Sequence, residues 1–308
     1  MSKNSNLHTA RTEKNDEFYT RFSDIENELH HYKEHFRGKV VYCNCDDPKV
    51  SNFFKYFSFN FEKLGLKKLI TSCYNENGRG RYLVYDGNKN GNLFPDVDEI
   101  GICEFEGDGD FRSVESIELL KQADIVVTNP PFSLFREYIA QLIEYDKKFL
   151  VIGSMNAITY KEIFPLIKDN KLWLGYNVCK EFIMPDGCMK KFGNVNWYTN
   201  LGHNRRNEEI VLYRTYNEKD YPKYDNYNAI EVCKTKDIPF DYDGVMGVPI
   251  SFLGKYNPNQ FEIVWTTDRG GDGKIEYLKN KNWNGLWDSA FVNGNKVYKR
   301  IFIKKRIS

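Results

Sequence analysis

The sequence predicts an α/β protein with a doubly wound, mostly parallel sheet, a terminal antiparallel hairpin and a smaller, loop-rich C-terminal module. Three observations predict this fold. Short apolar runs alternate with amphipathic segments from residue 40 to residue 174, as strands and helices do around a parallel sheet. From Val195 onward, strand-like runs follow each other without a helix between them. Beyond residue 216, prolines interrupt short strand-like runs, and 308 residues suffice for one large domain and a smaller module.

The first elements follow from helix-start and helix-stop residues. Ser23–Glu26 has the spacing of a capping box, so we predict a helix from there to about Gly38. The next predicted elements are a buried strand at 40–43, a helix at 47–64 that stops at Gly65, a strand at 69–74 and a loop or small hairpin insert at 75–100. They are followed by a strand at 102–105, a helix at 113–123, a strand at 124–128, a helix from Ser133 to about 145, a strand at 149–152, a helix at 159–171 that opens with a capping box, and a strand at 172–174.

The rhythm changes after these elements. Two strand-like runs, Val195–Leu201 and Glu209–Arg214, flank the polar turn 203–207 and predict an antiparallel hairpin. Arg205 and Arg206 in this turn either contact a ligand or are simply solvated. We place a domain boundary at residue 216, which divides the chain into 1–216 and 217–308.

Composition excludes several classes of protein. A net charge of +1 gives no whole-chain indication of nucleic-acid binding, so any such indication must come from local patches. The seven cysteines contain no CxxC pair, so we predict reduced thiols, no metal site and a cytoplasmic location. No apolar run is long enough for a membrane span. One local basic patch follows Asp288, and it is either a nucleic-acid surface or a solvated edge strand: Lys296, Lys299, Arg300, Lys304, Lys305 and Arg306.

The strongest chemical signal is Asn129-Pro130-Pro131-Phe132, which follows a predicted buried strand. Open α/β sheets bind ligands at the carboxyl ends of their strands. The Asn129 side-chain oxygen and the Pro130 carbonyl are two acceptors for the hydrogens of an exocyclic amine, and the prolines stiffen the backbone. Phe132 offers a face to a flat base. The alternative is a rigid turn between strand and helix, but these three features coincide at one site, which favours function.

This tetrapeptide resembles the hallmark of amino-group methyltransferases that act on adenine, and also on some glutamines and cytosines. Further stretches resemble the adenine-specific DNA methyltransferase of the EcoRI restriction–modification family: 14–20, 41–48, 108–132, 221–227 and 244–250. The resemblance implies an S-adenosylmethionine-dependent methyltransferase fold, with that cofactor, and adenine N6 in double-stranded DNA as the target. It implies that residues 1–216 form the catalytic and cofactor-binding domain and that 217–308 form the DNA target-recognition region.

The same resemblance assigns cofactor contacts. Asp16, Phe18, Tyr19 and Thr20 are expected over the methionine end; Cys43, Asn44, Asp46 and Asp47 are expected at the methionine and ribose; Asp110 and Phe111 are expected at the adenine. The sequence departs from the common pattern in two places. Residues 43–48 replace the usual glycine-rich turn, so either Asp46 or Asp47 binds the ammonium or the ribose. The acid that commonly follows the second strand is missing, and Glu76 is the candidate for its role.

The expected partner is double-stranded DNA, with a target base that must be extruded from the duplex. A cognate restriction endonuclease in the same system, without a stable complex, is also expected, and the resemblance suggests GAATTC as the site. Two alternatives stay open: an N-methyltransferase of RNA or protein glutamine, and a non-catalytic DNA-binding protein on the same fold. A nicotinamide dehydrogenase is disfavoured because no GxGxxG follows the first strand.

Overall fold

The computed structural model describes residues 18–88, 95–184, 186–267, 275–285 and 287–306. The described residues fall into two compact units. The first unit comprises those of Met1–Met155 and Gly175–Leu201, and the second comprises those of Asn156–Leu174 and Gly202–Ser308. These units are defined by contacts, so the functional boundary predicted at residue 216 stays a prediction.

The helices are short and mostly flank the strands of the first unit. They are α1 (Phe22–Leu29), α2 (Lys33–Phe36), α3 (Asn52–Phe59), α4 (Phe61–Leu64), α5 (Val97–Ile100), α6 (Val114–Gln122), α7 (Phe135–Glu144) and α8 (Phe164–Lys168). The Ser113 side chain accepts a hydrogen bond from the Ser116 amide at the start of α6, and Gly65 ends α4 in the left-handed conformation.

The predicted capping boxes are wrong. Ser23 lies inside α1, where Arg21 holds the N-cap position without a side-chain cap and pairs with Asp24 and Glu181 instead. Thr159 ends a 3₁₀ turn rather than opening a helix. The helix predicted from residue 47 begins at Asn52, because the Ser51 hydroxyl accepts hydrogen bonds from two amides of α3. The predicted helix start at Ser133 lies in a 3₁₀ turn that precedes α7.

In the described part of the chain, nine strands form the large sheet. They are β1 (Tyr19–Thr20), β2 (Val40–Asn44), β3 (Lys68–Cys73), β4 (Arg81–Tyr85), β5 (Cys103–Glu104), β6 (Ile125–Thr128), β7 (Lys148–Ser154), β8 (Trp173–Ile183) and β9 (Met189–Thr199). Their order is β1-β8-β9-β7-β6-β2-β3-β4-β5. The centre is parallel, as predicted: β2 pairs with β3 and β6, and β6 pairs with β7.

The sheet as a whole is mixed rather than mostly parallel. On one side, β4 pairs antiparallel with β3 and with β5, so the segment predicted as an insert extends the sheet. On the other side, β9 pairs antiparallel with β7, and β1 with β8. Burial of both faces explains why β2 reads as a nearly continuous apolar run, since all five of its residues are buried.

The predicted hairpin is displaced. The consecutive strands that lie side by side in the sheet are β8 and β9, and not the two predicted runs. The second predicted run, Glu209–Arg214, forms only an isolated bridge between Arg214 and Pro239. Tertiary contacts decide this outcome. The buried Glu28 carboxylate accepts hydrogen bonds from the main-chain amides of Tyr176 and Asn177, both at 2.8 Å, and so fixes this part of β8.

The second unit has its own small sheet and core. Its strands are β10 (Ile230–Glu231), β11 (Met246–Pro249), β12 (Phe261–Thr266), β13 (Ala290–Val292), β14 (Asn295–Val297) and β15 (Arg300–Lys305). Four of them form a sheet in the order β10-β11-β15-β12, while β13 and β14 form a separate pair. Tyr224, Tyr227 and Phe302 are buried at the centre of this unit.

Candidate active site

The candidate site lies at the carboxyl edge of the parallel strands. Asn44 is in register with Ser72 at the end of β3, and Val41 is in register with Ile125 of β6. The residues that follow β2, β3 and β6 therefore emerge at the same edge. This edge contains most of the candidate residues that the structure describes.

Asn129 follows β6 directly, and the nitrogen of its side-chain amide is hydrogen-bonded within the protein. Its Nδ2 donates to the Phe18 carbonyl at 2.7 Å, whereas its Oδ1 is buried and has no partner among the described residues. An unpaired buried acceptor costs about 1–3 kcal/mol, so it calls for a specific reason. Because the donated bond fixes the amide plane, Oδ1 is an acceptor of fixed orientation.

The two prolines have different surroundings. The Pro131 carbonyl accepts from the Leu134 amide at 3.1 Å and starts the 3₁₀ turn Phe132–Leu134. Pro130 is buried and leads directly out of Asn129. The role predicted for the Pro130 carbonyl, as a second acceptor, stays a prediction.

Phe132 belongs to an aromatic cluster of Phe18, Phe132, Phe182 and Phe192. The Phe18 ring centroid lies 5.9 Å from that of Phe132 and 4.5 Å from that of Phe192. The Phe182 ring lies 6.5 Å from Phe132 and meets it edge-on. Sequence reasoning missed Phe182 and Phe192. Phe182 lies on β8, which pairs with β1, and Phe192 lies on the neighbouring strand β9, and no local pattern indicates these pairings.

The predicted N-terminal contacts lie at β1. The Thr20 carbonyl accepts from Asn52 Nδ2 at 2.8 Å, and the buried Thr20 hydroxyl has no partner among the described residues. Tyr19 is half-buried beside it. Asp16, the first residue of this predicted set, lies outside the described residues.

The turn after β2 replaces the usual glycines with a left-handed cysteine. Cys45 has φ of +74°, a conformation that non-glycine residues adopt rarely and at a cost. Cys43 is buried in the strand, and Asn44 Oδ1 accepts from the hydroxyl of Tyr138. The left-handed residue reverses the chain and directs Asp46 inward, since the Asp46 amide donates to the Ser72 carbonyl at 2.8 Å.

Asp46 and Asp47 have different environments. Asp46 is buried, and its carboxylate accepts from the Thr128 hydroxyl at 2.6 Å and from the Ser51 hydroxyl at 3.1 Å. It thereby joins the turn after β2 to the residue just before Asn129. Asp47 lies nearer the surface and forms an ion pair with Arg81 at 3.0 Å. Neither carboxylate is free of protein partners.

Asp46 should make stability depend on pH. Burial raises its pKa to about 7, although hydrogen bonds from Thr128 and Ser51 lower it. Unfolded, the carboxyl ionises near 3.8, so between about pH 4 and 7 the unfolded chain binds fewer protons than the folded protein. The contribution of Asp46 therefore falls as the pH rises through this window, by up to about 1.4 kcal/mol per unit, and is constant above it.

Asp46→Asn should remove this slope, because the amide resembles the protonated carboxyl and cannot ionise. Urea unfolding at a series of pH values measures the slope. Asp47→Asn is the matched control and should retain it. A slope that is unchanged in Asp46→Asn would assign the titration to another group.

Asp110 is held against the loop that follows β3. Arg112 binds its carboxylate through two nitrogens, at 2.9 and 2.7 Å, and this pair lowers the pKa of Asp110. Arg112 also contacts Glu137 at 2.8 Å. Gly109, with φ of +78°, lets the chain approach closely, since a Cβ there would lie 2.6 Å from the Cys73 carbonyl. Asp110 is thus positioned beside the end of β3.

Phe111 and Glu76 lie less favourably for the roles predicted. The Phe111 ring is buried and meets the Tyr138 ring edge-on at 5.1 Å, so it packs mainly within the protein. Glu76 is exposed in the loop after β3. The roles of these two residues stay predictions.

Metal and membrane sites are not found in the described part of the chain. Within the described ranges, no three His, Cys, Asp or Glu residues form a group that could hold a metal ion. No helix of those ranges has the length and apolar character needed to cross a membrane.

Comparisons with known proteins give a consistent result. The family model described as adenine-specific methyltransferase EcoRI matches residues 6–306. The chain is 51% identical to the type II methyltransferase M.EcoRI of Escherichia coli, over 98% of this chain and 97% of that protein. It is 42% identical to M.MgeORF184P of Mycoplasma genitalium (96% and 98%) and 39% identical to M.MpnI of Mycoplasma pneumoniae (96% and 97%), both type II methyltransferases. No solved structure matches the chain.

Proposed function

Because this chain belongs to the EcoRI family of adenine-specific methyltransferases, we propose that it transfers a methyl group from S-adenosylmethionine to adenine N6 in double-stranded DNA. The observation that carries the proposal is the buried Asn129 Oδ1, which has no hydrogen-bond partner among the described residues and lies at the ligand-binding edge of the sheet. The chain is a type II modification enzyme of a restriction–modification system, and we place its reaction in the cytoplasm. A cognate nuclease would act on the same site without a stable complex.

The residues at this edge fit the proposed cofactor. The Asp110 carboxylate, oriented by Arg112, can accept from the adenine amine. The Thr20 hydroxyl, which has no partner in the described part of the chain, lies in the segment expected over the methionine end. When bound, S-adenosylmethionine supplies an electrophilic methyl group on a sulfonium, so no covalent enzyme intermediate is needed. These contacts support a methyltransferase fold of the S-adenosylmethionine-dependent type.

The protein's part is to orient and activate the nitrogen. The N6 lone pair of adenine is delocalised into the ring, which makes it a poor nucleophile. Asn129 Oδ1, together with the Pro130 carbonyl, would accept the two N6 hydrogens and favour a tetrahedral nitrogen on which positive charge develops. Residues that hold N6 close to the bound cofactor would contribute a further large part of the rate. The aromatic cluster around Phe132 offers apolar surface to the extruded base.

The direct test is transfer of labelled methyl from S-adenosylmethionine to duplexes that do or do not contain GAATTC. We expect label in N6-methyladenine on the duplex with the site and little on the other. Label on both duplexes would keep the reaction and discard the inherited site. Label only on RNA or on protein glutamine would refute the proposal.

Asp110→Ala should weaken S-adenosylmethionine binding roughly tenfold, because a charge-assisted hydrogen bond is worth about 1.5–3 kcal/mol. Calorimetry measures the dissociation constant. Glu137→Ala is the matched control, since it removes the other carboxylate on Arg112 and leaves Asp110 in place. Equal affinities of the Asp110 variant and the wild type would remove Asp110 from the cofactor site.

A further inference from the structure

The second unit contains a polar groove of about 330 Å³. Three cationic side chains line it: Arg205, Lys236 and Lys255. The opposite charge is also present, in Glu208 and Glu209. No ion pair among the described residues of this unit involves Glu208, Glu209, Lys236 or Lys255.

One wall of the groove is an extended segment that is held from behind. Gln260 bonds both main-chain groups of Ile210: its Oε1 accepts from the amide at 2.9 Å, and its Nε2 donates to the carbonyl at 2.8 Å. Asn257 also donates to the Glu208 carbonyl, at 3.3 Å. Glu209 and Val211 remain exposed, and Val211 is 80% exposed. Side-chain amides therefore fix the main chain of this wall, while the side chains of Glu209 and Val211 stay exposed.

The composition of the groove distinguishes between two ways of binding DNA. A surface for phosphates needs cations, and carboxylates would oppose binding there. A surface that reads base edges in the major groove needs both cationic donors and carboxylate acceptors. Guanine O6 and N7 accept from Arg or Lys, cytosine N4 donates to Glu, and the thymine methyl contacts apolar side chains such as Val211.

We propose that this groove reads base edges in the major groove of the DNA substrate, with Glu209 and Lys236 as specificity-determining residues. The inference rests on the proposed function, since it concerns how the methylated site is chosen. It goes beyond that function by assigning the choice to particular side chains outside the Asn129 site.

The test compares Glu209→Gln, Glu208→Gln and Lys236→Ala with the wild-type full chain. The control is Lys281→Ala, an exposed lysine of the same unit that does not line the groove. Labelled methyl transfer is measured on the GAATTC duplex and on every duplex that differs from it by one base pair. All four substituted side chains are exposed, and thermal unfolding of each variant verifies folding.

The preference is the ratio of methyl transfer on the GAATTC duplex to transfer on a duplex altered at one base pair. We expect Glu209→Gln and Lys236→Ala each to lower this ratio roughly tenfold at one base-pair position, because each good base contact is worth about 1–3 kcal/mol. The control should keep the wild-type preference. The inference would be overturned if all groove variants kept the wild-type preference. It would also be overturned if a variant lost methyl transfer equally on every duplex and the slope of log affinity against log salt concentration fell by about one, which identifies a phosphate contact. If the wild type methylates no DNA, the proposed function itself fails.

Discussion

Asn129→Ala is expected to lower kcat by roughly 10²–10³-fold while S-adenosylmethionine binding stays within about a factor of two. This loss in kcat is the size observed when an enzyme loses one preorganised group that stabilises charge developing in the transition state. Alanine deletes Oδ1, the acceptor without a partner among the described residues, and it also deletes the bond from Nδ2 to the Phe18 carbonyl. In the proposed mechanism, only the first loss would act on the reacting nitrogen. Single-turnover methyl transfer and calorimetry measure the two quantities separately.

Asn52→Ala separates the two losses. Asn52 makes the same kind of bond, from its amide to the Thr20 carbonyl at 2.8 Å, but contributes no acceptor to the edge of the sheet. If the turnover loss in Asn129→Ala comes from loosening residues 18–20, Asn52→Ala should lose turnover to a similar degree. We expect less than about a fivefold loss, because it removes one ordinary hydrogen bond. Normal turnover in Asn129→Ala would refute the proposed site.

The position of Asn129 could be predicted because its signals are local. A buried apolar strand ending in two prolines is visible in nine consecutive residues, and the structure places β6 there with Asn129 directly after it. The parallel centre of the sheet follows from the same kind of pattern. Its antiparallel flanks do not, because β1 and β8 pair across about 160 residues and the pairing depends on contacts such as the bond from Arg21 to Glu181.

The states of individual charged residues could not be predicted. Asp46 and Asp47 are adjacent and chemically identical, yet the left-handed Cys45 directs one inward and leaves the other near the surface. Arg206, predicted as a possible ligand contact, lies with its guanidinium 3.5 Å above the Trp173 ring, in the packing of the second unit. Burial of a long polar side chain is decided by the surfaces around it, which a sequence window does not contain.

Arg300 is the charged residue whose environment differs most from the one that the sequence suggests. The sequence places it in a basic patch, but the structure packs it against the buried Glu231, with side-chain exposures of 12% for Arg300 and 4% for Glu231. Arg300 Nη2 donates to Glu231 at 2.6 Å and Nε at 3.0 Å, and the Tyr224 hydroxyl donates to the same carboxylate. The pair joins β15 to β10, so this member of the patch stabilises the second unit instead of facing a partner.

Arg300→Ala should therefore destabilise the second unit by about 3–5 kcal/mol, since it leaves a buried carboxylate without its counter-charge. Urea unfolding followed by tryptophan fluorescence reports mainly on this unit, which contains four of the five tryptophans. Lys304→Ala, on the exposed side of β15, is the matched control and should change stability by less than about 0.5 kcal/mol. Arg300→Met combined with Glu231→Leu should recover most of the loss, because the penalty comes from the isolated charge and not from the missing bond. Equal losses in the single and double variants would instead assign the effect to packing around β15.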